Sequence, residues 1–107
     1  FNLHASLLPQ YRGAAPINWA IINGEKQTGV TSFIINEVID TGNILLQKSV
    51  SIDEDETAGT LHDKLQESGS QLLLETLKLL ESGEQKGISQ NTLFIKKKDF
   101  VLDLYFF

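Results

Sequence analysis

The chain opens with the stretch FNLHASLLPQYRGAAP, residues 1–16, from which the rest of the predicted fold is built outward. The alternation of apolar and polar residues from Phe1 to His4 is typical of a β-strand. Proline lacks an N–H group and restricts the residue before it, so the strand has to stop before Pro9. Residues two apart on a strand project from the same face, and Asn2 and His4 are therefore predicted to point into one space where the strand ends.

The segments that follow predict one short helix and two strands. Pro16 suits the first turn of a helix and Asn23-Gly24 is a stop signal, so residues 16–23 are predicted to be helical. β-Branched and aromatic residues predict a strand over residues 29–35, and a second apolar run predicts a strand over residues 43–51. Two strands this close in sequence most simply pair antiparallel.

A long amphipathic helix is predicted over residues 58–81. The acidic run at residues 53–56 precedes it, and we interpret this run as a solvated helix entry favoured by the helix dipole and not as a metal site. Thr57 is the predicted N-cap, and Ser82-Gly83 is the predicted end. The leucines assigned to the inner side of this helix are Leu61, Leu65, Leu72, Leu73, Leu77 and Leu80.

Composition limits the chain to one globular domain. It has 107 residues, and its hydrophobic fraction of 41% is that of a folded rather than a disordered protein. The net charge of −5 argues against a chain that binds a nucleic-acid backbone by itself, because such affinity comes from clustered Lys and Arg. No membrane-span-length apolar run, secretory signal or cysteine is visible. We expect a protein of the bacterial cytoplasm or an organellar matrix, with no membrane partner.

Residues 2–17 closely resemble the signature of the formyltransferases that use 10-formyltetrahydrofolate as formyl donor. A second matching block consists of residues 28–31 and 40–45, and the separation of His4 from Asp40 matches that of the family's catalytic residues. The resemblance covers residues 1–90 and fades after them. It implies an α/β fold, the C-terminal half of a Rossmann-like formyltransferase domain, in the form of a short β-α-β-β-α piece with a mixed sheet.

The resemblance also divides the chain. Residues 1–90 are expected to form a partial formyltransferase catalytic domain, and residues 91–107 an atypical tail or the start of a linker to a C-terminal domain. The chain contains no methionine and opens within a predicted strand. We therefore expect a piece of a longer enzyme whose N-terminal half supplies part of the folate pocket, and we expect the piece alone to be inactive.

The candidates for catalysis are Asn2, His4 and Asp40. Formyl transfer to an amine passes through a tetrahedral intermediate whose oxygen becomes negative, so the site needs donors for that oxygen and a group that takes the amine proton. The resemblance implies that Asn2 and protonated His4 donate to this oxygen. It implies that Asp40 holds the imidazole in its charged form and accepts the proton, directly or through water.

The resemblance further implies binding residues near the catalytic group, and no metal. Tyr11, Arg12 and Gly13 are predicted to contact the substrate, although Arg12, expected in an exposed loop, is equally well interpreted as a solvated side chain. For Ser6, a hydroxyl that caps a turn is favoured over a nucleophile, because no general base stands beside it in sequence. The predicted folate-binding residues are Ser6, Leu7, Leu8, Pro9, Val38, Ile39, Thr41 and Gly42.

Three functions stay open. The loop at residues 11–17 favours transfer of a formyl group to the amino group of methionyl-tRNA, for translation initiation, with the tRNA held mainly by parts outside this chain. The second function is transfer to another amine, such as glycinamide ribonucleotide or an amino sugar nucleotide. The third is an inactive truncated fragment.

Overall fold

The computed structural model describes residues 1–83 and 89–90 of the chain. Its elements follow the predicted β-α-β-β-α order. The predicted tail at residues 91–107 lies outside the described residues. The elements are strand β1 (Asn2–His4), helix α1 (Pro16–Ile22), strand β2 (Gln27–Phe33), strand β3 (Ile44–Ser51) and helix α2 (Ala58–Ser82).

The three strands form one sheet in the order β1-β2-β3, and both pairs are antiparallel. The expected mixed sheet is therefore wrong for the described residues. His4 pairs with Thr31, and β2 begins at Gln27, further along the direction in which β1 runs. The chain therefore enters β2 from beyond the end of β1 and does not first return to the start of β1. The strand β2 then has to run the opposite way.

The strand β2 also ends earlier than the sequence predicts. The register between β2 and β3 shifts at Ser32 and Phe33, and the chain then leaves the sheet. Ile35, predicted to lie in the strand, is 67% exposed. The apolar run continues past this bulge, so hydrophobicity alone does not mark the strand end. The chain continues as the loop between β2 and β3, which reaches the site described below.

Local capping explains the bounds of α2. The Thr57 side chain accepts a hydrogen bond from the Thr60 N–H, and the Thr60 hydroxyl accepts one from the Thr57 N–H. This reciprocal pair satisfies donors that the first turn leaves without helical partners. At the other end Gly83 adopts the left-handed backbone, with φ 70°, that closes many helices. Both predicted ends of the helix are therefore confirmed.

The main core lies between α2 and the sheet. Val30 of β2 packs against Leu61, Leu65 and Leu72 of α2, and all four side chains are at most 3% exposed. These contacts hold the long helix across one face of β2. A second buried cluster consists of Leu8, Phe33 and Ile44.

The inner face of α2 is not made of leucines alone. Gly69 and Thr76 are buried on it, whereas Leu73 and Leu77, predicted to lie inside, are 39% and 44% exposed. The Thr76 hydroxyl donates to the Ser32 hydroxyl at 2.8 Å. Because this hydrogen bond satisfies the buried hydroxyls, a polar residue occupies an inner position without a large desolvation cost.

Gly29 in β2 marks a place where two other segments approach the strand closely. A Cβ built on it overlaps the Lys48 carbonyl oxygen of β3 and lies 2.5 Å from Cδ2 of Leu7. A glycine in a strand often permits such an approach. The segment after β1 therefore folds back over β2, which brings residues 5–15 beside the end of β1.

Candidate active site

A cleft of about 380 Å³ lies beside β1, where the segment after β1 and the loop between β2 and β3 come together. Alternate residues of β1, Asn2 and His4, both contribute to its wall. The lining residues are Asn2, Leu3, His4, Gly13, Phe33, Ile35, Asn36, Ile39 and Asp40. The three residues predicted to be catalytic therefore lie in one cleft.

His4 is 4% exposed, and both nitrogens of its imidazole lie near oxygen atoms. Nε2 is 2.7 Å from the Tyr11 carbonyl oxygen, and Nδ1 is 3.4 Å from Oδ2 of Asp40. A carbonyl and a carboxylate only accept hydrogen bonds, so the imidazolium, with two N–H groups, is the form that donates to both. The Nδ1 contact is longer than the usual N–H···O distance of about 2.9 Å. The contact between Asp40 and Nδ1 of His4 is therefore weaker than the hydrogen bond between the Tyr11 carbonyl and Nε2.

Asp40 is placed by its backbone and by Gly13. Its φ is 55°, in the left-handed region that few residues other than glycine adopt. Oδ2 accepts a hydrogen bond from the Gly13 N–H at 2.9 Å, and the same oxygen faces His4. Burial lowers the pKa of Arg12, and the negative charge of nearby Asp40 opposes that shift. The carboxylate thus faces the His4 imidazole and interacts electrostatically with the Arg12 guanidinium.

Asn2 supplies an amide at the exposed side of the cleft. Its Oδ1 atom accepts a hydrogen bond from the Leu3 N–H at 2.9 Å. This bond uses the oxygen of the amide and not its NH2 group, which has two donors. The geometry therefore suits donation from Asn2 to an oxygen atom in the cleft.

The loop between β2 and β3 carries four of the predicted folate-binding residues. Ile39 lines the cleft. Val38 is 63% exposed, and its carbonyl oxygen accepts a hydrogen bond from the Thr41 hydroxyl at 2.7 Å. Gly42 packs so closely against Ile34 that a Cβ on it overlaps the Ile34 carbonyl. Ile39 thus lies in the wall and the other three shape the loop, and contact of all four with folate stays a prediction.

The other four predicted folate-binding residues are not among those that line the cleft. The Ser6 hydroxyl donates to the Gln10 carbonyl at 2.6 Å, as expected of a hydroxyl that caps a turn. Leu7 contacts Gly29, and Leu8 belongs to the second buried cluster. The peptide bond between Leu8 and Pro9 is cis. In the described structure this segment supports the cleft, and its contact with folate stays a prediction.

The residues predicted to contact the substrate differ in their exposure. Tyr11 is 2% exposed, and its hydroxyl donates to Glu25 at 3.0 Å and accepts from Asn23 at 3.1 Å. Arg12 is 8% exposed, so its expected place in an exposed loop is wrong. Gly13, with φ 93°, is the member of the three that lines the cleft. A direct substrate contact by these residues stays a prediction.

Sequence reasoning missed Gln90, the residue that pairs with Arg12. Its Oε1 atom accepts hydrogen bonds from Nε and Nη2 of Arg12 at 3.0 and 2.9 Å. Its Nε2 atom donates to the carbonyl oxygens of Asp40 and Gly42, both at 2.8 Å. The side chain is 1% exposed, although it follows a polar segment of the sequence. A single glutamine in such a segment carries no local signal of burial.

Residues 1–77 match the family model described as formyl transferase. The chain belongs to the formyl transferase family. A methionyl-tRNA formyltransferase from Caldanaerobacter subterraneus subsp. tengcongensis is 60% identical to this family member over 83 residues. The aligned part covers 78% of this chain and 27% of that protein. The chain thus spans about a quarter of the length of this curated relative.

Solved structures of formyltransferases share the fold. A phosphoribosylglycinamide formyltransferase from Bacillus halodurans has a TM-score of 0.73 at 44% identity, covering 78% of this chain and 43% of that chain. A sugar 3N-formyl transferase, crystallised in the presence of dTDP and 5-N-formyl-THF, has a TM-score of 0.83 at 29% identity, covering 94% of this chain and 35% of that chain. The predicted α/β formyltransferase fold is therefore confirmed.

Within residues 1–83 and 89–90, no three His, Cys, Asp or Glu side chains form a group that could hold a metal ion. The same part of the chain contains no helix with the length and apolar character needed to cross a bilayer. The titratable side chains that line the cleft are those of His4 and Asp40.

Proposed function

We propose that the complete protein transfers the formyl group of 10-formyltetrahydrofolate to the amino group of methionyl-tRNA. This chain supplies Asn2, His4 and Asp40 to that reaction. The observation that carries the proposal is that these three side chains line one cleft in a member of the formyl transferase family. The sequence is more similar to the methionyl-tRNA enzyme than to the phosphoribosylglycinamide enzyme, which favours the tRNA as acceptor.

The proposed reaction needs two hydrogen-bond donors for the formyl oxygen and one base for the amine proton. When the acceptor nitrogen attacks the formyl carbon, the formyl oxygen becomes negative, and the Asn2 NH2 group donates to it. His4 donates to the same oxygen by exchanging one of its present acceptors, the Tyr11 carbonyl or the Asp40 carboxylate, for it. Asp40 accepts a proton from the attacking amine, directly or through one water. The bond from the formyl carbon to N10 of the folate then breaks, and Asp40 returns the proton, directly or through water, to N10. One N–H is lost at the acceptor and one is gained at the donor.

The cleft suits the flat ring of a folate. Its volume of about 380 Å³ falls within the range of small-molecule sites, about 300–1,000 Å³, and it combines apolar walls with few polar groups. Phe33, Ile35 and Ile39 supply apolar surface, and the backbone of the loop offers groups for the polar edge of the ring. The proposed folate-binding residues are Val38, Ile39, Thr41 and Gly42 on this loop, and Ser6, Leu7, Leu8 and Pro9 after β1.

The acceptor end of the tRNA is proposed to enter beside Gly13, with Tyr11 and Arg12 supporting that loop from within. A net charge of −5 gives this chain little attraction for a polyphosphate. Most of the tRNA is therefore held by parts of the enzyme outside this chain. Such an enzyme acts in the bacterial cytoplasm or an organellar matrix, where translation uses the charged initiator tRNA.

Another amine is the alternative acceptor, because the fold similarity extends to an enzyme named for phosphoribosylglycinamide and to one named for a sugar. The shared fold does not distinguish among acceptors. An assay of protein expressed from the complete gene distinguishes them. The formyl donor is 10-formyltetrahydrofolate, and methionyl-tRNA, glycinamide ribonucleotide and an amino sugar nucleotide are compared as acceptors. We expect kcat/KM for methionyl-tRNA to be higher by a factor on the order of a hundred or more. A preference for another amine would contradict the proposed acceptor.

The same assay tests the role of His4. His4→Ala is expected to lower kcat by about 10²–10⁴, with the KM for 10-formyltetrahydrofolate little changed, because the lost interaction belongs to the transition state. His62→Ala is the matched control, since His62 is an exposed side chain on α2. It should retain the parent kcat. Full turnover by His4→Ala would show that the cleft is not the catalytic site.

A further inference from the structure

Gln90 joins the two segments that meet at the cleft. Its amide has two acceptor positions and two N–H donors, and all four are used. Exchanging its oxygen and nitrogen would place an NH2 group against the Arg12 guanidinium and an oxygen against two carbonyl oxygens. The orientation of the amide is therefore determined by its partners.

The groups that Gln90 binds belong to Arg12, Asp40 and Gly42, which lie in the two segments that position the Asp40 carboxylate. Arg12 precedes Gly13, whose N–H binds the Asp40 carboxylate. The carbonyls of Asp40 and Gly42 belong to the loop that presents this carboxylate to His4. The left-handed backbone of Asp40 is a conformation that persists only where its surroundings hold it. Gln90 binds the carbonyl of that very residue.

We propose that Gln90 is a positioning residue for Asp40 in formyl transfer, an inference that rests on the proposed function. By accepting from Arg12 and donating to the loop between β2 and β3, Gln90 sets the separation of the two segments. This separation in turn sets the contact of the Asp40 carboxylate with His4. Gln90 is 1% exposed and is not among the residues that line the cleft, so it acts through Asp40 and not on the substrate.

Two substitutions separate the functions of the amide. Gln90→Glu keeps an acceptor for Arg12 but replaces the donor group with an oxygen that faces two carbonyl oxygens. Gln90→Leu has a similar volume and removes all four hydrogen bonds. Both are expected to lower kcat by about tenfold to a hundredfold, because a small misplacement of a catalytic group has an effect of that size. The KM for 10-formyltetrahydrofolate should change by less than about threefold.

The experiment uses protein expressed from the complete gene, with methionyl-tRNA as acceptor. Gln71→Leu is the matched control, because Gln71 is an exposed glutamine on α2 that binds Lys48 at the surface. It should keep the parent kcat. Thermal unfolding of every variant separates a loss of folded protein from a loss of rate, and Gln90→Glu serves if Gln90→Leu does not fold.

A double-mutant cycle with Asp40→Asn distinguishes positioning from general weakening. If Gln90 acts through Asp40, adding a Gln90 substitution to Asp40→Asn lowers kcat by less than about threefold more. A fully additive loss, or full turnover in both Gln90 variants while Asp40→Asn is impaired, would overturn this inference alone. Normal turnover in Asp40→Asn would contradict the proposed role of Asp40 and, with it, that of Gln90.

Discussion

Replacing Asp40 with asparagine removes one negative charge and almost no volume. The Asp40 side chain is 10% exposed, and its Oδ2 atom both accepts from the Gly13 N–H at 2.9 Å and lies 3.4 Å from Nδ1 of His4. An asparagine whose amide oxygen takes the Oδ2 position keeps both contacts. The loop is therefore expected to keep its conformation, whereas the side chain can no longer accept a proton.

The two consequences of this change differ in size. A hydrogen bond to a charged group is about twice as strong as a neutral one, so weakening the Gly13 bond is expected to cost about 1 kcal/mol of unfolding free energy. Loss of a general base lowers kcat by about 10²–10⁴, which corresponds to about 3–5 kcal/mol of activation free energy. The effect on the rate therefore exceeds the effect on stability.

The assay measures kcat at saturating methionyl-tRNA and urea unfolding on the same preparation. Asp40→Ala is the comparison, because it also removes the oxygen that binds the Gly13 N–H. It is expected to lose a further 1–2 kcal/mol or so of unfolding free energy, with a kcat similar to that of Asp40→Asn. Turnover of Asp40→Asn within tenfold of the parent would refute the reasoning, because the charge would then not be needed for proton transfer.

Two further predictions concern stability. Gly29→Ala is expected to lower the unfolding free energy by about 1–3 kcal/mol, because its Cβ overlaps the Lys48 carbonyl oxygen. Urea unfolding checks this, with Gly59→Ala, whose Cβ has its nearest neighbour at 3.8 Å, as a control that should not destabilise. Glu56→Gln is expected to reduce the sensitivity of the protein to acid. A hydrogen bond from Lys64 lowers the pKa of Glu56 below its ordinary value. The stabilisation by ionised Glu56 is therefore present above the ordinary pKa and is lost as the pH falls through the lowered one. Unfolding free energies measured between neutral and acidic pH should fall less in this variant than in the parent, and an equal fall would contradict the prediction.

Local signals in the sequence were sufficient for the helices and the order of the elements. Thr57 and Gly83 end α2 as predicted, because capping depends on residues next to each other in the chain. The inner face was assigned less well, since the buried Thr76 is made acceptable by the Ser32 hydroxyl, which belongs to another element. The antiparallel pairing of β2 and β3 was predicted from their closeness in sequence and is confirmed. The direction of β2 relative to β1 depends instead on the point at which the chain enters β2 after α1, which strand propensity does not encode.

The candidate site, too, could be predicted from the sequence only in part. Asn2 and His4 were identified together because two residues of one strand share a face, and the resemblance added Asp40. The contacts that place Asp40 join residues 27 positions apart, for Gly13, and 78 positions apart, between Arg12 and Gln90. Hydrophobic periodicity carries no information about such pairs. The burial of Arg12 was missed for this reason.

The distance along the chain between Gln90 and its partners sets a delay during protein synthesis. Gln90 follows Gly42 by 48 positions, which at about 5–20 residues per second takes about 2–10 s of translation. The strand β3 and the helix α2 are synthesised during that interval, and α2 is complete at Ser82, 90 − 82 = 8 residues before Gln90. The elements of the hydrophobic core are therefore all present before Gln90 is added. Until Gln90 has been synthesised, the Asp40 carbonyl and the Arg12 guanidinium lack the hydrogen-bond partner that they have in the folded structure. The scaffold is therefore expected to fold first, and the loop that bears the carboxylate to take its final conformation only once residue 90 has been added.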